Sequence, residues 1–400
     1  MNDPEESLDP LPSIVNESDG PLNVARATRG RRNLYARLRR QMNSCRWSFW
    51  GLWACLFIGW AFYTLALPVA IDAYRAWIGW KRPLYDVPLG FPQRELFRTC
   101  EYLTVVWFFY FGASIGSFFN VLAGRLPYGK GVVFGGSKCP YCNNHLKFIH
   151  NLPILGWLWL RGKCGFCRLP ISSRYLWMEV LVGSIFLLIA GRELFTGGMN
   201  LPRWEVSTYS GVLNTVFYPK WPIIIAYAHH AFFVAALTIL IAVCFEKKTF
   251  PWMSWLLIAV LIVSLRFLDR SFEFVRWSDG LRLGQIEFAP TLSIAVTVGL
   301  GSIFGLGIGL ATALRLPSQI VPNGKTLWTQ AGVLVGAVLG WQAVVLLLPI
   351  TFLLVKLICW CGFKKKPFVL VGFLALLVLL TLVHHMFWRQ IASIILLASK

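Results

Sequence analysis

Apolar residues in this chain gather into nine windows, near 51–70, 103–125, 176–192, 223–244, 253–268, 290–313, 328–342, 343–361 and 368–388. A helix needs about 20 apolar residues to cross the hydrocarbon core of a bilayer, so each window predicts a membrane-spanning helix. The apolar run 331–361 is too long for one comfortable crossing, and a tight turn at Gly340-Trp341-Gln342 divides it. The longest stretch between windows is a loop of some fifty residues at 126–175.

Composition agrees with that pattern. Of 400 residues 56% are hydrophobic and 14% charged, with a mean hydropathy of +0.60. Too few polar side chains remain to cover a water-soluble globule or to keep a chain disordered. The fold class expected is an all-α polytopic membrane protein of about nine spans with a small zinc-ribbon-like cytoplasmic loop.

The net charge of +20 would suggest nucleic acid if the basic residues formed one patch, but they sit between the apolar windows. Eight arginines from Arg26 to Arg46 precede the first window, and eight Lys/Arg with no acid lie from Arg125 to Arg174. Lys247 with Lys248 and the triplet Lys364, Lys365 and Lys366 follow later. Basic short loops mark the cytoplasmic side. The N-terminus and segments 126–175, 245–252, 314–327 and 362–367 are therefore expected inside, near anionic lipid, and 71–102, 193–222 and 269–289 outside. Nucleic acid is not expected as a partner. Residues 1–46 read as a solvated tail, acidic and then basic. The first apolar run begins near Trp47, too late for a cleavable signal peptide.

Four of the ten cysteines form Cys139-x-x-Cys142 and Cys164-x-x-Cys167, 21 residues apart on the basic loop. A reducing compartment disfavours disulfides there, whereas two such knuckles supply four thiolates for one tetrahedral ion. Structural zinc is expected, with His145 and His150 as ordinary loop residues. Cys45, Cys55, Cys100, Cys359 and Cys361 read as apolar fillers.

Gly116-Ser117-Phe118-Phe119-Asn120, Arg125-Leu126-Pro127, the first knuckle, Asn151-Leu152-Pro153-Ile154-Leu155-Gly156-Trp157, Leu160-Arg161-Gly162-Lys163-Cys164 and Pro170-Ile171-Ser172-Ser173-Arg174-Tyr175 with Glu179 together resemble the type IV prepilin peptidase family. The resemblance is dense over 112–180. It implies a bacterial inner-membrane aspartic endopeptidase that removes prepilin leaders at the cytoplasmic face, with N-methylation from S-adenosylmethionine in many members. It divides the chain into an extra N-terminal span with its outer loop at 47–102, a family-like N-terminal region at 103–192 and a helical membrane core at 193–400. Glu179, Asn120 and Arg125 become candidate substrate-binding residues, since a carboxylate within an apolar span usually faces a partner or a cavity.

The chemistry departs from the family. An aspartic protease needs two carboxylates on one water. Alignment on the family pattern puts Cys244 and Trp328 where the two aspartates belong, with Glu246 as a potential substitute for the first. No Asp or Glu occurs after Glu287. The reading is a catalytically degenerate relative retained for binding a prepilin-like membrane helix or pilus and secretion components. The alternatives are an active leader peptidase with a non-standard dyad, or an N-methyltransferase that would use S-adenosylmethionine. Adjacent His229 and His230 point to different sides of one helix, and His384 and His385 read as outer interface residues. The glycines from Gly299 to Gly309 are expected to allow close helix packing.

Overall fold

The computed structural model describes residues 51, 53–79, 90–132, 136–139, 141–206, 210–245, 249–268, 276, 278, 289–315, 324–360 and 366–398. The tail 1–46, Glu246, Lys247, Lys248, Lys364 and Lys365 lie outside them. Twelve helices follow along the described chain: α1 (Trp53–Trp77), α2 (Phe91–Arg125), α3 (Leu155–Trp159), α4 (Arg174–Glu193), α5 (Val212–Phe217), α6 (Trp221–Phe245), α7 (Trp252–Ser264), α8 (Pro290–Leu314), α9 (Gly324–Leu339), α10 (Trp341–Trp360), α11 (Lys366–Met386) and α12 (Trp388–Ala398). Among the described residues there are only isolated β-bridges and no strand.

Among the described residues each apolar window falls mainly within helix. Among the described residues α1, α2, α4, α6 and α8 are each long and apolar enough to cross a membrane, and the number is six when α11 and α12, bent by 77° at their break, are taken as one span. The chain is an all-helical polytopic membrane protein. Gly340, at φ +87°, separates α9 from α10 and makes the turn expected there, because a side chain at that angle would be strained.

Helix α6 occupies the centre: 83% of its most apolar window is buried inside the protein, against 11% for α1. A helix apolar on every face and buried on every face belongs in a core. Helices α8 and α9 meet through backbone. A Cβ on Gly301 would stand 2.0 Å from the Gly336 carbonyl oxygen, and one on Gly305 would stand 2.2 Å from that of Gly332. Gly299 and Gly307 face open space, so the packing is confined to one stripe.

Helix α1 docks on the early turns of α2 by hydrogen bonds. Tyr63 donates to Glu101 at 2.7 Å, Tyr102 to the Leu56 carbonyl at 2.6 Å, and Arg98 to the Tyr63 carbonyl at 3.2 Å. These contacts explain why α2 starts at Phe91, well before the expected 103: the charged stretch is helical because α1 partners it. Within α1 a π-helical stretch at Phe62–Ala66 precedes Pro68, whose missing N–H and ring exclude a regular α turn.

Candidate functional site

The loop between α2 and α4 is built on two copies of one local turn. In the first, Cys139 N–H donates to the Asn144 carbonyl and Asn143 N–H to the Cys139 carbonyl; in the second, Cys164 pairs with Leu169 and Arg168 with Cys164 in the same way. The matching positions Asn143 and Arg168 both take left-handed backbone, at φ 56° and 57°. Lys138 bridges to His145 and Lys163 to Pro170, closing each knuckle.

The two turns face each other. Cys139 Sγ lies 3.8 Å from Cys167 Sγ, and Cys142 Sγ lies 3.9 Å from Cys164 Sγ. All four sulfurs lie within 4.8 Å of one another and could hold a metal ion. Zn–S bonds of about 2.3 Å define a tetrahedron with edges of about 3.8 Å, so the donor set fits zinc. Burial pushes the Cys164 thiol up, but hydrogen bonds from the Phe166 and Cys167 backbone and from neighbouring thiols outweigh it and bring it down to about 7. Burial and the adjacent sulfurs push Cys167 up to about 12. One thiolate thus suppresses the next, and a dication would remove that repulsion. His145 and His150 are outside the sulfur cluster; His150 packs against the second knuckle, where a Cβ on Gly165 would meet its ring at 2.4 Å.

Helix α4 returns from this loop and packs on α2 through Gly112, Gly116 and Gly183. A Cβ on Gly116 would lie 3.0 Å from the Glu179 Cα. Glu179 is buried, and its Oε2 accepts the Ile154 backbone N–H at 2.6 Å. Ser117 hydrogen-bonds the same carboxylate. Ile154 holds φ at 62°, a left-handed conformation a β-branched residue rarely adopts, and this aims its N–H at α4. The strained Pro153-Ile154 step is thus tied to the only acid near the loop end of α4.

A cavity of about 950 Å³ opens between the cysteine loop and the ends of α2 and α4. Ser117, Asn120, Arg125, Cys139 and Glu179 are among its lining, so the three residues singled out for substrate binding all border one cavity. Asn120 Nδ2 donates to the Tyr175 carbonyl at 3.1 Å, while its Oδ1 is buried without a protein partner. Arg125 donates to the Gly131 and Gly136 carbonyls at 3.4 and 3.0 Å, fastening the loop to the end of α2.

The two positions aligned with the family's aspartates lie at the end of α6 and the start of α9. These ends are neighbours: Gln330 Nε2 donates to the Phe250 carbonyl and Trp255 Nε1 to the Gln330 carbonyl. Cys244 is a buried thiol, and Trp328 is fully buried, donating to Thr312 Oγ1 at 2.8 Å and meeting Phe373 edge-on.

A second buried polar group was missed as a unit. Glu193, read as an outer-loop acid, is the buried last residue of α4, and it meets His230 and His385, the latter read as an interface residue. Both of those expectations are corrected. The cause is long-range: the turn after α4 and the α11–α12 bend fold over residues that the linear pattern puts at a surface. His229, by contrast, points away as expected and sits 2.8 Å from the Ile262 carbonyl. A carboxylate at a span end together with mid-span histidines was the signal available.

Residues 110–192 match the family described as the bacterial peptidase A24 N-terminal domain. The chain is 42% identical over 84 residues to a prepilin leader peptidase/N-methyltransferase of Myxococcus xanthus, covering 21% of this chain and 25% of that protein. It is 41% identical over 83 residues to one of Klebsiella pneumoniae, covering 19% and 36%, and 33% identical over 120 residues to one of Aeromonas hydrophila, covering 24% and 41%. The matches thus span a quarter to about two fifths of the relatives' length. No solved structure matches the chain. Over residues 110–192, through the cysteine loop and the two helices that carry it, the chain is similar to the prepilin leader peptidase/N-methyltransferases.

Proposed function

We propose that this protein is a non-cleaving member of the family: a zinc-pinned scaffold in the bacterial inner membrane, loop towards the cytoplasm, that holds a prepilin-like membrane helix. The observation that carries this reading is the lining of the cavity, in which Glu179 is the single carboxylate among the described residues. Peptide hydrolysis of the aspartic kind needs a pair, one ionised and one protonated, and Glu179 is already held by a backbone N–H. The absence of any acid after Glu287 supports it, as does the packed indole of Trp328 at an aspartate's expected position.

Zinc in the four-cysteine shell would be structural. Four thiolates leave no open position for substrate, and a loop of this size gains much of its fold from the metal. The cavity's charge also bears on the ligand. Arg125, Lys130, Lys138 and Arg174 line it against one carboxylate, which suits a neutral or acidic stretch of a bound helix better than a basic leader. Anionic lipid headgroups would meet the same cations at the membrane surface.

The test uses the full chain in nanodiscs, mixed with a prepilin that carries its leader. Saturable binding is expected, weakened several-fold by Lys130→Glu, with the prepilin mass unchanged. A shortened product that disappears with Glu246→Gln would show an active peptidase instead. Label transferred from S-adenosylmethionine without loss of the leader would show a methyltransferase.

A further inference from the structure

The opposite end of α4 from the cysteine loop holds the buried group of Glu193, His230 of α6 and His385 near the end of α11. All three are at most 1% exposed. Oε1 of Glu193 lies 2.6 Å from His230 Nδ1 and 2.6 Å from His385 Nε2. Its other oxygen, Oε2, is buried with no hydrogen-bond partner in the protein. Asn200 presses on the same site: Nδ2 lies 3.3 Å from His385 Nε2 and donates to the His385 carbonyl at 3.1 Å, while Oδ1 is buried without a partner.

We propose that Glu193, His230 and His385 form a second metal site, separate from the cysteines, for a divalent cation of the zinc type. Three observations converge on it. The donors are two imidazoles and one carboxylate from three different helices, a set that zinc and its neighbours in the first transition row favour. Their ligand atoms lie within 4.8 Å of one another. The hydrogen bonding is also lopsided, with two imidazoles on one oxygen and none on the other.

Ligand distances of about 2.1 Å require tetrahedral edges of about 3.4 Å, so the 2.6 Å contacts must open when an ion enters. Rotation of the Glu193 carboxylate does this by presenting the idle Oε2. Each ring exchanges, through solvent, the proton facing Oε1 for one on its far nitrogen, so that it stays neutral and turns a lone pair to the ion. A buried carboxylate needs positive charge near it, and a dication supplies that with both imidazoles neutral.

The surroundings indicate a structural role. The Trp388 ring lies 5.5 Å from His230 and 5.7 Å from His385, centroid to centroid. Arg389 donates its backbone N–H to the Asn200 carbonyl and its Nε to that of Leu201, and Arg192 reaches the Met386 carbonyl. These bonds fasten the turn after α4 to the bend between α11 and α12, over the site. An ion there would pin α4, α6 and α11 together where none of the cysteines reaches.

The full chain purified in detergent, loaded with Zn²⁺ and desalted, tests this by metal content and X-ray absorption. Two zinc ions per chain are expected, with a nitrogen/oxygen shell beside the sulfur shell. Glu193→Gln or His385→Gln should lower the count to one and leave only sulfur, while Cys139→Ser with Cys164→Ser should leave only nitrogen/oxygen. One zinc per chain with sulfur alone in the unaltered protein would overturn the proposal and leave the cysteine site standing. One zinc with nitrogen/oxygen alone would uphold it and overturn the cysteine reading.

Discussion

Helix α4 buries a carboxylate at each end, Glu179 and Glu193, about 21 Å apart along the axis at 1.5 Å per residue. Glu179 is held by one backbone N–H from a loop and a hydroxyl, and it borders a cavity with cations along its walls. Glu193 is fully buried, with two imidazoles, an amide and an indole around it. The difference separates two uses of a costly group. A carboxylate left beside an open space can meet a ligand that enters from outside, whereas one sealed among side chains from three helices ties those helices together.

Substitutions at the two ends should differ accordingly. Glu193→Leu should have the largest effect, because it strands two imidazoles at the junction of α4, α6 and α11. Removing one partner of a buried ionic group costs about 3–5 kcal/mol, which thermal unfolding in detergent would register as loss of most of the folded, monodisperse protein. Gly116→Leu should cost about 1–3 kcal/mol by forcing α2 off α4 beside Glu179, where a Cβ already has neighbours at 3.0 Å. Glu179→Gln should cost only about 1 kcal/mol, since the amide oxygen still accepts the Ile154 N–H, but should alter ligand binding in the cavity. Equal losses for the Glu193 and Glu179 variants would erase the distinction. Smallest, Arg168→Asn copies the first knuckle into the second and should stabilise the loop by less than about 1 kcal/mol, because Asn tolerates the left-handed backbone better.

The cysteine loop was legible because its determinants are local. Knuckle spacing fixes four sulfurs within a short stretch, and the fold needed only to bring two turns face to face. Gly340 was legible for the same reason, as was the glycine stripe of α8, though only the structure separates Gly301 and Gly305 from the outward Gly299 and Gly307. The start of α2 was not, because residues 94–101 look like a loop until Tyr63 and Tyr102 join α1 to it. Glu193 with His230 and His385 was the furthest from view. Each lies at a span end or beside another histidine, and only the docking of three helices distant in sequence makes them one group.

We propose that a prepilin-peptidase-like scaffold persists here without peptide hydrolysis. It is tested most directly by co-expressing the full chain with a prepilin in cells lacking any other leader peptidase, and taking the intact mass of the recovered prepilin. The account requires the full leader and an unmodified terminus on a prepilin that co-purifies with the chain. A mass lowered by the leader, restored by Glu246→Gln, would contradict it.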